Sequence, residues 1–412
     1  MAARLRRVVR IVRTRGLAGL LAAVLARIQA WLERRSVRPE SSIAMLVRHQ
    51  DAVAVDWTEP PGWLTNPRTV VAESLSTAWI MHPPGESSGG HQNIFRFIRY
   101  LERAGHRATV YLYDARDRPI DAQRVQEMVA ASPSYPHVAA EFHVLDRVAP
   151  DTDVIVATGW ETAYPAFLDP SDARRVYFVQ DFEPGFYPVG SEHTLAENTY
   201  RFGFSGITAG NWLATTLHRD YGMATSAFEF AADTEMYHPT TTERRDEVFF
   251  YARPVTSRRG FELGVMALEQ LVKLRPDVTI HLAGWDVSSY DLPFPYVNHA
   301  AMKVTQLNEL YNRCGVGLVL SLTNLSLLPL ELLAAGVIPV LNDGQNNRLV
   351  TDNPFIEYSP ASPAALARRM HEVLERPDLA EHARAAAESV GAGGWDASGE
   401  QFVRALQDVA RG

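Results

Sequence analysis

From Ala78 onward the chain alternates short apolar runs with stretches whose apolar residues recur at helical spacing. Runs at Ala78 to Pro83, Ala108 to Tyr113, Asp153 to Thr158, Val176 to Gln180 and Gly206 to Ala209 predict strands, while Ile94, Phe97, Ile98 and Leu101 mark one face of a helix between Gln92 and Gly105. Strands separated by helices predict a parallel sheet wound on both faces. The alternation pauses near Tyr237-His238-Pro239, where the polar run TTTERRDE intervenes, and then resumes. The second series has strands at Val248 to Tyr251, Thr279 to Ala283, Val316 to Ser321 and Ile338 to Leu341, with helices near 260 to 274, 305 to 314 and 327 to 335. The pattern predicts an α/β fold of two Rossmann-like domains facing across a cleft, 77 to 238 and 239 to 392. Trp395 to Val409 reads as a final amphipathic helix, within a segment 393 to 412.

Composition agrees with this reading. At 412 residues, 46% hydrophobic and 21% charged, the chain is too long for one comfortable core. Its single cysteine, Cys314, lies in the helix-like stretch LNELYNRCGVGL and reads as packing rather than as a nucleophile. With no internal disulfide possible and no secretory signal pattern, a cytoplasmic location is expected. Charge changes the picture at the amino terminus. Residues 1 to 35 hold nine arginines against Glu33, a local charge of +8; since the whole chain carries −8, the remainder carries −16. An anionic membrane surface is the expected partner of this basic amphipathic helix. The apolar run from Gly16 to Ala26 is too short to cross a bilayer core, which needs about 20 residues, so the helix is expected to lie on the inner face of the membrane as a peripheral anchor. A solvated helix or a disordered arm is the alternative. Residues 36 to 76, with turns at Pro60-Pro61-Gly62 and Asn66-Pro67, read as a connecting segment.

Candidate chemistry collects where strands end, because ligands of open parallel sheets bind beyond the carboxyl ends of the strands. The strand VFFYA closes with Arg253, and a turn carrying Arg258 and Arg259 follows. Forked guanidiniums at a strand-to-helix turn suit a diphosphate, whose oxygens they share with free helix N–H groups. Glu331, opening another helix, suits a ribose, since both ribose hydroxyls can donate to a carboxylate. In the first domain, Gly89 and Gly90 of the loop PPGESSGGHQN allow backbone to approach a diphosphate or sugar closely. VQDFEP ends another strand with two carboxylates; Asp181 is the expected partner of an acceptor hydroxyl, with Glu183 second, and either one capping the turn is the alternative. Trp160, at the end of VIVATGW, is placed to pack against a sugar, and Trp285 near a base or in the core. Asp151-Thr152-Asp153 spells a metal-binding D-x-D but falls at the amino end of its strand, the wrong edge, so no metal is expected.

Four stretches, PPGESSGGHQN, YFVQDFEPGFYPVGSE, ARPVTSRRGFELG and PLELLAAGVIPVLN, resemble the retaining glycosyltransferases of family 4, GT-B in fold, and among them the WsaF-type rhamnosyltransferases. The resemblance implies that Arg253 and Arg258 bind the donor diphosphate, although the loop is one residue longer than usual and Arg259 is an alternative second member. It implies backbone N–H groups of Ser326, Leu327 and Leu328 on the diphosphate, and Lys303, in the segment HAAMKV leading to a helix, is a candidate third cation near the nucleotide. Glu331 matches the second glutamate of E-x7-E, whereas Thr323 stands where the first is usual. It also implies that the last helix crosses back onto the first domain. The function implied is retaining transfer of L-rhamnose from dTDP-rhamnose to a lipid-linked surface glycan, with no cofactor beyond the donor and no nucleic-acid partner. A UDP- or GDP-hexose donor, a catalytically weak scaffold in a glycan-assembly complex, and a nucleotide-sugar epimerase of similar architecture are the rival readings.

Overall fold

A computed structural model describes residues 46–70, 73–390 and 394–412. The expected basic helix of residues 1 to 35 lies outside them. The first sheet has seven parallel strands, β1 Ser76–Met81, β2 Arg107–Leu112, β3 Glu141–Val144, β4 Val154–Ala157, β5 Arg174–Val179, β6 Ser205–Ala209 and β7 Thr225–Phe228, in the order β3-β2-β1-β4-β5-β6-β7. The second has six, β8 Glu247–Tyr251, β9 Ile280–Ala283, β10 Val297–Ala300, β11 Cys314–Val319, β12 Ile338–Asn342 and β13 Glu357–Ser359, in the order β10-β9-β8-β11-β12-β13, again all parallel. Central strands such as VIVA of β4 and CGVGLV of β11 are buried along their whole length, because helices cover both faces.

Cys314 corrects the expectation at one point. It opens β11 instead of sitting in a helix, because the preceding helix, Val304–Tyr311, ends at Asn312, whose side-chain amide donates to the carbonyls of Asn308 (2.8 Å) and His238 (2.9 Å). The thiol is fully buried and points back to the Leu310 carbonyl.

The final helix, Gly394–Arg411, lies against the first sheet and the helix Gly89–Arg103. Phe402 is completely buried, its ring stacked on Phe97 at 4.6 Å and on Trp79 at 5.9 Å. Gly399 permits the close approach: a Cβ there would fall 2.4 Å from the Tyr100 ring. The segment after residue 46 is also packed down. Trp63 donates its indole N–H to the Phe167 carbonyl at 3.0 Å, and Arg68 reaches the carbonyls of Thr152 and Pro150.

Candidate active site

Strand ends from both sheets meet around Asp181, two residues past β5 and only 8% exposed. Its Oδ1 accepts from its neighbour Phe182 N–H (2.9 Å) and from Asn324 N–H (2.8 Å) beyond β11. Its Oδ2 accepts from Arg258 Nε at 3.1 Å and lies 3.7 Å from Arg259 Nη2. Both arginines sit in the single turn Ser257–Arg259 after β8, and Gly260, in the left-handed region at φ 58°, reverses the chain into the helix Phe261–Leu274. The Arg258 guanidinium carbon also lies over the Phe186 ring, 3.9 Å from its centre, and Arg259 donates to Ser321 Oγ at 2.7 Å. Asn324 fastens the junction from the other side. It is 1% exposed, and its side-chain amide donates to the carbonyls of Gln180 and Ala209 at the ends of β5 and β6.

Arg253 is half-buried near the other two, its guanidinium 3.5 Å from the Gly284 carbonyl and about 6 Å from the Trp285 ring. Two guanidiniums therefore face one carboxylate, and the charge of a third, Arg253, reaches Arg259. Burial pushes the Arg259 pKa down, Asp181 opposes that shift, and the charges of Arg258 and Arg253 add to it. One anion does not balance three cations, and the electrostatics of this turn favour a further anion. Ser326, Leu327 and Leu328 stand beside β11 with backbone N–H groups that have no acceptor among the described residues, at the start of the helix Leu328–Ala334.

Glu331 faces the first domain from that helix. Burial raises its pKa to about 7, partly offset by the charge of Arg96 and reinforced by Asp233. The sequence does not single out Arg96, because it stands among Gln92, Asn93, Arg99 and Tyr100 on the helix face away from the apolar stripe, with no motif around it. It lies on the Trp395 ring at 3.7 Å and donates to Asn93 Oδ1 at 2.9 Å. Asn93 donates in turn to Gln180 Oε1, and Gln180 Nε2 donates to the Gly90 carbonyl at 3.1 Å, so the glycine loop is tied to the strand end that carries Asp181. A Cβ at Gly89 would meet nothing, and one at Gly90 only Gln180, leaving open space over the loop.

Three expected site residues stand apart from this cluster. Trp160 is 1% exposed, its indole N–H donating to Tyr187 Oη at 3.0 Å, so the ring has no open face for a sugar. Glu183 is buried and accepts from Trp160 N–H (2.5 Å) and Tyr177 Oη (2.8 Å); it holds the start of the helix Trp160–Leu168 instead of opening toward an acceptor. Burial raises its pKa to about 8. Lys303 is exposed at the head of the helix Val304–Tyr311, without a carboxylate partner among the described residues. Asp153 accepts from the Ser76 N–H and Asp151 pairs with Arg107, at the amino ends of the strands. Among the described residues, no group of three His, Cys, Asp or Glu is arranged to hold a metal ion.

Two parallel-sheet domains meeting at their carboxyl edges, with arginines on one side and a glycine loop on the other, define a GT-B architecture. Among solved structures, the chain is similar to sucrose-phosphate synthase of Thermosynechococcus elongatus (TM-score 0.62, 12% identity, 81% of this chain and 99% of that one). It is also similar to HepE of Anabaena in complex with UDP and glucose (TM-score 0.60, 14% identity, 81% and 100%). The model of the WsaF C-terminal domain matches residues 246–371, and that of the WsaF N-terminal domain matches residues 138–211. The O-antigen biosynthesis protein RfbC of Myxococcus xanthus is 34% identical over 346 residues, covering 80% of this chain and 27% of RfbC, so the chain spans about a quarter of that relative. The chain belongs to the WsaF-like GT-B glycosyltransferases.

Proposed function

We propose that the protein transfers a hexosyl group from a nucleoside-diphosphate sugar to a hydroxyl of a growing surface glycan. The observation that carries this reading is the cluster of Arg253, Arg258 and Arg259, of which the last two face the single carboxylate of Asp181, beside free backbone N–H groups. A diphosphate supplies the missing anion. It takes the arginines from Asp181, and the freed carboxylate then accepts a hydrogen bond from the attacking hydroxyl. In a retaining transfer the bond from the anomeric carbon to the phosphate oxygen breaks as the bond to the acceptor oxygen forms on the same face. The acceptor proton leaves its hydrogen bond to Asp181 and passes to the oxygen of the leaving phosphate as the bond from that oxygen to the anomeric carbon breaks. The guanidiniums meet charge that grows as that bond breaks, and so stabilise the transition state more than the bound donor. No metal and no cofactor beyond the donor enter this scheme.

HepE forms a complex with UDP and glucose, which supports a nucleotide-sugar partner, and RfbC is an O-antigen biosynthesis protein, which supports a surface-glycan product. The donor we favour is dTDP-L-rhamnose. Thr323 in place of a glutamate near the sugar suits a 6-deoxy ring, which has no 6-hydroxyl to recognise. A lipid-linked acceptor at the cytoplasmic face of the membrane accords with the arginine-rich residues 1 to 35.

Thermal shift with dTDP, UDP and GDP tests the reading. One of them is expected to stabilise the protein, and Arg253→Ala to abolish that response; no response to any of the three refutes it. Equal liposome flotation with and without residues 1 to 35 would refute the membrane assignment.

A further inference from the structure

The carboxyl edge of the first sheet carries a second polar pair besides Asp181. His82 follows β1, and Glu161 lies in the first turn of the helix after β4; β1 and β4 are hydrogen-bonded neighbours in the middle of the sheet. Thr158 Oγ1 donates to the Ile80 carbonyl at 2.8 Å, clamping the two strand ends together. His82 Nε2 stands 3.8 Å from Glu161 Oε2. That gap exceeds a hydrogen bond, and a third polar atom about 2.8 Å from each fits across it.

Both side chains are fixed in place. The Tyr113 carbonyl accepts from His82 Nδ1 at 2.9 Å, which puts a proton on Nδ1 and aims Nε2 at Glu161. The His82 carbonyl accepts from His91 Nε2 at 3.0 Å, and His91 Nδ1 in turn takes the Ser88 hydroxyl. On the other side Glu183 holds the Trp160 N–H, which sets the first turn carrying Glu161. Burial pushes the His82 pKa down, but the facing Glu161 carboxylate, with the Tyr113 carbonyl and Asp114, outweighs it and raises the value above its ordinary level. Asp114 itself is committed to Arg118 and to local N–H groups.

The pair remains partly open, the imidazole 34% and the carboxylate 20% exposed. Its mixed character selects the ligand. An anion would meet Glu161 and a cation would meet His82, whereas a hydroxyl, at once donor and acceptor, satisfies both. We propose that His82 and Glu161 together bind a hydroxyl of the saccharide that accepts the transferred sugar. The assignment rests on the transferase reading above and adds an acceptor contact to it on the strand ends next to Asp181.

The test uses the full chain, isotope-labelled on histidine and saturated with the nucleoside diphosphate that stabilises it, titrated with the methyl glycosides of rhamnose, glucose, galactose and mannose. The His82 ring signals, assigned by their loss in His82→Gln, are expected to shift saturably with at least one glycoside. Loss of a hydrogen bond to a charged group predicts that Glu161→Ala weakens that binding about tenfold or more. Nucleoside-diphosphate affinity should stay within about twofold in both variants, since neither side chain shares a hydrogen bond or ion pair with the arginine turn or with Asp181. No His82 response to any of the glycosides, or undiminished affinity in Glu161→Ala, overturns the proposal. Failure of the unmodified protein to bind any nucleoside diphosphate would count against the transferase reading instead, and the His82 titration, run without nucleotide, would still decide the pair.

Discussion

Replacing Asp181 with asparagine separates two roles that the geometry combines. The substitution keeps an acceptor for Phe182 N–H and Asn324 N–H, but removes the charge that faces Arg258 at 3.1 Å and Arg259 at 3.7 Å. Breaking a fully buried pair by removing one partner costs about 3–5 kcal/mol, and an exposed pair contributes about 0.2–1. With Asp181 at 11% and the arginines at 27% and 15% side-chain exposure, the pair lies between these limits, and about 2 kcal/mol is expected. The unliganded protein should therefore melt a few degrees lower. Nucleoside-diphosphate binding should move the opposite way. In the unmodified protein the ligand must displace a carboxylate from the arginines, and in Asp181→Asn it does not. If the whole 2 kcal/mol is recovered on binding, affinity rises about 30-fold. Isothermal titration with dTDP and UDP, beside thermal unfolding of the same preparations, measures both quantities. Transfer should fall despite the tighter binding, because the carboxylate that orients the acceptor is gone. A variant that melts lower and also binds nucleotide more weakly would refute the reasoning, since Asp181 would then be supporting the anion site and not competing for it.

Arg258→Ala should remove the stack on Phe186 and the bond to Asp181 together, and reduce nucleoside-diphosphate affinity at least tenfold, corresponding to about 1.4 kcal/mol; unchanged affinity by titration would leave Arg259 as the second diphosphate ligand. Phe402→Ala empties a site walled by Phe97, Trp79 and Phe178, and should cost about 3–5 kcal/mol in chemical denaturation. The pH profile of stability follows from opposite shifts. Burial lowers the half-buried His91 to about 4, so its contribution is complete above its unfolded value near 6.5 and is lost as pH falls toward 4. Glu183, raised to about 8, and Glu331, raised to about 7, contribute fully below their unfolded value of 4.5 and lose that contribution as pH rises through those values. Between their unfolded value of 4.5 and pH 6.5 the two glutamates lose more than His91 gains, so stability should peak near pH 4.5 and decline toward pH 8, and Glu183→Gln should flatten the decline when unfolding free energy is measured across that range.

The four strands that the apolar pattern did not predict are β3, β7, β10 and β13, and these are the outer strands of the two sheets. Their sequences, EFHV, TSAF, VNHA and EYS, are short and mix polar with apolar residues, because one edge of each faces outward and no neighbouring strand demands a continuous apolar run. The inner strands read clearly for the converse reason. The arginine turn was legible too, since Arg253, Arg258 and Arg259 are local to one strand end. Glu183 was misplaced because QDFEP sets two carboxylates two residues apart, and only the fold shows that one closes on Asn324 and Arg258 while the other turns back to Trp160 and Tyr177. His82 and Glu161 could not be paired from spacing: they are brought together by the adjacency of β1 and β4, which are separated in sequence by two other strands.

That same separation bears on how the site works. Asp181 and its cationic partners come from different sheets, as do Asn324 and the carbonyls of Gln180 and Ala209 that it holds. An anion that draws Arg258 and Arg259 away from Asp181 removes part of the contact between the domains at the same moment, while Asn324, uncharged and bonded through its own amide and backbone, is left in place. Donor binding and the relation of the two domains are therefore one coupled equilibrium, with the strength of the Asp181 pair as the coupling term. Weakening Asn324 instead, by Asn324→Ala, removes interdomain bonds that no anion competes for. It should lower the melting temperature as Asp181→Asn does, yet leave nucleotide affinity without the gain, and the contrast between the two variants in a single titration series isolates the electrostatic part of the coupling from the part carried by neutral hydrogen bonds.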